Sequence, residues 1–196
     1  MRTIKSIFAT ALLLAITLQV SAQRKYNISE SSFEIAGTSN IHDWTMKSTA
    51  ANGTANLRIV DSKLAEINSL NIILVAESLK SGKSSMDHVA YETLDTKTNN
   101  TISYFLKNAE KVNETTWALT GIYTIAGVSR EYKTQVKIAI NNDIFTLQGA
   151  NHIAFTDFEM APPTAALGAV KAGKDVTVIF NISFDPVGAK NFLSSN

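Results

Sequence analysis

Apolar and polar residues alternate along most of this chain, and the alternation is cleanest near its end. Val176, Val178, Phe180, Ile182 and Phe184 interleave with Asp175, Thr177, Ile179, Asn181 and Ser183. A period of two places the first set on one face of a strand. A nearly unbroken apolar face needs a mostly β interior to cover it. The stretch before it, Phe155 to Lys174, is long, small and apolar, with Pro162, Pro163, Gly168 and Gly173. Such a segment predicts a rim or lid rather than a hairpin.

The same period recurs upstream. Ser32 to Ser39 predicts a strand with Phe33 and Ile35 on one face, and Asn40 to Trp44 (NIHDW) interrupts it. Met46 to Ala51 predicts a second short strand, and Ala55, Leu57 and Ile59 alternate with polar residues after Gly53. Leu64 to Val75 is extended and β-rich, apolar on both faces near its end. Ser84 to Leu94 is the best helix candidate, with Ser84 or Ser85 as cap and Met86, Val89, Ala90 and Leu94 on one side. Its shortness makes it depend on packing. Ile102, Tyr104 and Leu106 begin a further series, followed by Trp117, Leu119, Gly121 and Tyr123. Val136, Ile138 and Ile140 continue it, then Phe145, Leu147, Ile153 and Phe155. The turns fall at Asn113-Glu114, Ala126-Gly127 and Asn141-Asn142-Asp143. About eight sequential antiparallel strands with one short helix predict an all-β barrel or sandwich. A barrel of about eight strands is wide enough to be filled by side chains or to hold one small ligand.

The first residues change the picture of where the chain works. Arg2 and Lys5 precede an apolar run, Ile7 to Val20, and Val20-Ser21-Ala22 is a small-residue cleavage box. We expect residues 1–22 to be a signal peptide cut after Ala22, delivering the protein to a periplasm or the exterior. The run falls short of the roughly 20 apolar residues of a membrane span. Removing residues 1–22 from the 196 leaves 174, one ordinary domain (23–196). Losing Arg2 and Lys5 leaves 16 basic residues against 17 acidic ones, where the full chain has 18 and 17. A near-neutral domain without basic blocks argues against nucleic acid as a partner. There is no cysteine, so thiol chemistry and cysteine-ligated metal are excluded.

Four stretches carry a resemblance. They are Phe33 to Trp44 (FEIAGTSNIHDW), Ser84 to Phe105 with its helix leading into TISYF, Thr120 to Arg130 (TGIYTIAGVSR), and TDFEMAPP running to LGAVKAGKDVTVIF. Together and in this order they resemble the YceI-like family of exported lipid-binding proteins, over roughly Tyr26 to Phe184. Two positions depart from the family pattern: Glu159 replaces a common glycine, and Thr98-Asn99-Asn100 lacks a common proline. The resemblance implies a lipocalin-like eight-stranded antiparallel barrel whose bore holds a long apolar chain, a polyisoprenoid or isoprenoid quinone. It implies no catalytic residues and no cofactor.

The residues agree with a lipid guest without requiring one. The apolar faces offer Phe33, Ile35, Leu57, Tyr104, Trp117, Leu119, Val136, Phe145, Phe155, Phe158, Val178 and Phe180 as candidate lipid-binding side chains. The same faces suit a packed interior, and a non-catalytic interaction or stress module is the alternative. Burying a CH₂ contributes about 0.8 kcal/mol, against an association cost on the order of 4–15 kcal/mol. Longer chains should therefore bind more tightly, with tolerance of the head group. His42, His88 and His152 lack metal-ligand spacing, and adjacent His42 and Asp43 point to opposite faces. Gly168 to Lys174 approximates a phosphate loop, but Asp175 stands at the Ser/Thr position and a strand follows. No G-x-S-x-G occurs, so a serine hydrolase has no signature. The sequence neither requires nor excludes a homodimer.

Overall fold

The computed structural model describes residues 23–188. The expected signal segment and the extreme C-terminus lie outside them. The chain forms β1 (Gln23–Ser39), β2 (Trp44–Ser48), β3 (Ala51–Val60) and β4 (Lys63–Val75), then helix α1 (Ser84–Thr93). After it come β5 (Thr101–Lys111), β6 (Thr116–Ile125), β7 (Val128–Asn141), β8 (Ile144–Ala154), β9 (Thr164–Ala165) and β10 (Val170–Pro186).

Sequential pairing runs β1-β3-β4-β5-β6-β7-β8-β10, and β10 returns to pair with β1 from Tyr26↔Pro186 to Ser39↔Ala172. The result is a closed eight-stranded antiparallel barrel. Closure removes the sheet edges that an open β protein must protect. β2 and β3 behave as one strand interrupted at Thr49-Ala50: β2 pairs with Phe33–Gly37 of β1, and β3 with Gln23–Asn27.

The connections at the two ends differ. At one end β3–β4 and β7–β8 are joined by tight turns whose residues take positive φ, Asp61-Ser62 and Asn142-Asp143. These backbone values match the right-handed twist of the flanking strands. At the other end sit the NIHDW loop, α1, and the segment between β8 and β10. We call this end the mouth. Asn40 fastens the NIHDW loop to β10: its amide donates to the Ala169 carbonyl at 2.9 Å and its carbonyl oxygen accepts from Lys171 N–H at 2.7 Å.

The interior follows the same division. Tyr26, Leu57, Phe145, Ile182 and Phe184 are fully buried, and most of them fill the end away from the mouth. Nearer the mouth the wall parts. β7 and β8 pair only from Val136↔Gly149 to Asn141↔Ile144. Beside the unpaired stretch a 3-10 turn, Phe155–Phe158, presses inward. Phe158 stacks on Tyr132 with centroids 6.0 Å apart, and Tyr132 donates to Asp157 at 2.6 Å.

Several expectations shift. The first and last strands are longer than the alternation predicts, because both span the whole barrel wall. The strand expected to end at Phe155 ends at Ala154, where the inward turn begins. Helix α1 has no serine cap; Lys83 holds that position with no side-chain bond. Asp87 reaches back instead, accepting from Ser81 N–H at 2.7 Å and Ser81 Oγ–H at 2.6 Å.

Candidate functional site

Below the mouth lies an apolar cavity. It offers about 170 Å³ to the centre of a water molecule, roughly ten times what one water needs, so it is no packing defect. Every side chain around it is uncharged. Strands supply the wall, among them Phe33 and Ile35 from β1, Ile72 and Leu74 from β4, and Val178 and Phe180 from β10. Ala90 and Leu94 close it from the side of α1, and Phe155, Met160 and Pro163 from the long segment. Alternation makes the wall, and the mouth elements make the roof.

The candidate residues separate by height. Phe33, Ile35, Tyr104, Leu119, Val136, Phe155, Val178 and Phe180 line the cavity. Leu57, Trp117 and Phe145 belong to the main packed core, and Phe158 to a small cluster with Ile125 and Ile153. Sequence reasoning left out Trp44, Met46, Ile72, Leu94 and Met160 as lining residues. Ile72 carried a signal, since it stands on an apolar strand with β period. Leu94 and Met160 carried none, because their direction depends on how the mouth segments fold over the barrel.

Glycines shape the interior where aromatic rings cross from one strand to the next. A Cβ on Gly37 would fall into the Trp44 ring, one on Gly121 into Tyr104, and one on Gly149 against Phe180. A side chain at any of these positions would displace the ring that lines the cavity. Trp44 is further fixed by its indole N–H, which donates to the Thr38 carbonyl at 2.9 Å.

Polar groups near the cavity form a small network. Thr134 Oγ–H donates to Asn151 Oδ1 at 2.8 Å, and Asn151 Nδ2–H donates to Tyr123 OH at 2.6 Å. Burial pushes the Tyr123 phenol above its ordinary value, against the opposing bonds from Thr134 and Asn151. Tyr104 is raised as well, by burial first and by Tyr123 second. Both remain protonated hydroxyls at any physiological pH.

The histidines are not brought together. His42 lies in the NIHDW loop, its Nδ1 2.8 Å from the Asp43 carbonyl. His88 pairs with Glu92 on exposed α1, and His152 with Asp175 on the outer wall. Among the described residues no three His, Asp or Glu side chains form a metal-sized cluster. Nor is any helix among them long and apolar enough to cross a membrane.

A barrel closed at one end and hollow beneath an elaborated mouth is a recognisable arrangement. The profile of the YceI-like domain matches residues 16–184. The chain belongs to the YceI-like family. Among solved structures, BcnA of Burkholderia cenocepacia aligns with TM-score 0.65 at 16% identity, covering 78% of this chain and 95% of that one. A polyisoprenoid binding domain from Saccharophagus degradans aligns with TM-score 0.65 at 13% identity, covering 82% and 98%. A Campylobacter jejuni YCEI protein aligns with TM-score 0.54 at 19% identity, covering 87% and 88%. At these identities the likeness concerns the fold. No curated protein matches the chain in sequence.

The backbone accounts for one expected departure. Glu159, at the position where the resemblance leads one to expect glycine, takes φ 59°, a left-handed conformation that glycine adopts at no steric cost. Here the carboxylate is held by Arg130 at 2.9 Å.

Proposed function

We propose that this protein is an exported, non-catalytic binding or carrier protein that holds a lipid with a long apolar chain in the barrel cavity. A polyisoprenoid or isoprenoid quinone is the favoured guest. The observation that carries this reading is the cavity itself: about 170 Å³, walled by apolar side chains, with no charged group to serve a reaction. Family membership supports it, and so does the fold shared with a protein described as a polyisoprenoid binding domain. Export rests on Arg2, Lys5, the apolar run Ile7 to Val20 and the small residues up to Ala22.

The mechanism is burial. Aliphatic and aromatic surface replaces water around the guest at about 25 cal/mol per Å². Guest and cavity need share only shape and apolarity, so head groups outside the mouth matter little. The packed end of the bore sets a depth limit, and carbons beyond it would return through the mouth to water. The test is mass spectrometry of an organic extract of protein purified from its native host. A stoichiometric isoprenoid species is expected. Repeated absence of any co-purifying lipid would overturn the reading and favour a barrel that acts through its outer surface.

A further inference from the structure

Two large apolar side chains project at the mouth. Leu167 is completely exposed, and Ile41 of the NIHDW loop is 62% exposed. The backbone beneath Leu167 is strained. Ala166, Leu167 and Gly168 take φ of 51°, 55° and 87° in succession, a left-handed run that only glycine enters at no steric cost. Leucine has neither the short polar side chain that eases this conformation nor, among the described residues, a neighbour to pack on. Asparagine would suit the turn better, so the fold gives no reason for leucine here. The tip is nonetheless firmly held. Ala169 N–H donates to the Ala166 carbonyl at 3.1 Å, and Ala172 N–H to the Pro163 carbonyl at 3.0 Å. Asn40, next to Ile41, bonds to Ala169 and Lys171, which fastens the two loops into one platform.

We propose that this platform docks on a lipid bilayer bearing anionic head groups, with Leu167 and Ile41 entering the interface and Lys171 and Lys174 lying among the head groups. Three observations favour a bilayer. The surface consists of projecting side chains rather than a groove or flat face, so it suits a yielding apolar layer better than a shaped protein surface. Lys171 and Lys174 are exposed and have no ion-pair partner among the described residues. Against them residues 39–44 and 161–174 carry a single carboxylate, Asp43. Met160 and Pro163, which roof the cavity, lead through β9 directly into the tip. Docking would lay that roof against the membrane, where a guest passes without crossing water. This consequence rests on reading the cavity as a lipid site; the docking does not.

The test is flotation of the full mature chain with vesicles of phosphatidylcholine and phosphatidylglycerol in equal parts. The wild type should float with them at low salt and less at high salt. Leu167→Asn keeps the turn and removes the apolar tip. Its vesicle affinity should fall about tenfold, the worth of burying most of one leucine side chain, with no fall in melting temperature. Lys171→Gln combined with Lys174→Gln should weaken binding on the order of tenfold. Ile179→Thr, at an exposed apolar residue half-way along β10, is the control and should float like the wild type. Equal affinity for phosphatidylcholine alone, or equal losses in Ile179→Thr and Leu167→Asn, overturns the proposal. Absence of flotation overturns it too and leaves the tip to a protein partner. Displacement of a fluorescent naphthylamine by geranylgeraniol, measured without vesicles, keeps docking and lipid binding apart. Displacement should be the same in the wild type and Leu167→Asn. Failure to displace the probe from the wild type counts against lipid binding, while docking still stands or falls by flotation.

Discussion

Leu119→Phe separates a hollow bore from a packed one. Leu119 is 2% exposed and lines the cavity. The substitution adds three side-chain carbons. In a close-packed interior, extra carbons force neighbours aside and cost about 1–3 kcal/mol. Facing a cavity of about 170 Å³, they have room. Stability of the free protein should then stay level or rise, by at most about 2 kcal/mol at ~0.8 kcal/mol per buried carbon. The same carbons exclude an equal length of guest. Lipid affinity should fall by up to about 2 kcal/mol, on the order of 30-fold. Leu57→Phe is the control, because Leu57 is fully buried in the packed core and does not line this cavity. It should cost about 1–3 kcal/mol and leave the residual guest affinity of the folded protein nearly unchanged. Urea unfolding gives the stabilities from midpoints at constant slope, and probe displacement gives the affinities. If Leu119→Phe destabilises as much as Leu57→Phe, the bore is packed and the cavity argument fails.

Two further outcomes follow from named contacts. Gly121→Ala would drive a Cβ into the Tyr104 ring, so it should cost about 1–3 kcal/mol and weaken guest binding; unchanged melting and binding would refute the packing described. Hydrogen bonds from Ser81 hold the Asp87 carboxyl below its ordinary range. A depressed carboxyl stabilises the fold above its unfolded value and loses that contribution as pH falls through its folded one. Hydrogen exchange, corrected for its intrinsic pH dependence, should therefore show the Ser81 amide and the first turn of α1 protected at pH 4 and opening below it. Asp87→Asn should open them at neutral pH by about 2 kcal/mol, the scale of a bond to a charged acceptor; protection equal to wild type would remove the role given to Asp87.

Period two reads a strand's faces but not its height. The alternation of β10 assigns Val178, Phe180 and Phe184 to one side of the chain, and all three do face inward, Val178 and Phe180 onto the cavity and Phe184 into the buried core. It could not tell that Val178 and Phe180 border the cavity while Phe184 packs against Phe145 with centroids 5.3 Å apart. Leu57 and Trp117 were indistinguishable from Leu119 for the same reason: each is an apolar residue on an inward face. Height is decided by strand stagger and by what covers each end. Those depend on pairings between residues far apart, such as Phe33↔Phe180 and Val136↔Gly149. The helix cap escaped for a related cause. A serine before a helix is a local signal, whereas Asp87 bonding back to Ser81 requires the preceding loop to fold over the helix start.

The same reasoning explains why the hollow lies beneath the mouth rather than at the turn end. Tight two-residue turns such as Asp61-Ser62 and Asn142-Asp143 hold neighbouring strands together to their last pair, and large side chains such as Tyr26 and Phe145, on strands that are not neighbours, meet inside the barrel with centroids 6.4 Å apart. At the mouth, β7 and β8 separate after Val136↔Gly149, and a long segment spans the gap. Phe158 fills the seam in the wall against Tyr132, and the cavity is roofed by residues of the mouth elements, among them Ala90, Leu94, Phe155, Met160 and Pro163. A roof made of helix and loop has few backbone pairings to the barrel, so it can open at a fraction of the cost of unfolding the wall. On the proposed reading a guest would enter through this roof, and the strands that line its site would not need to move.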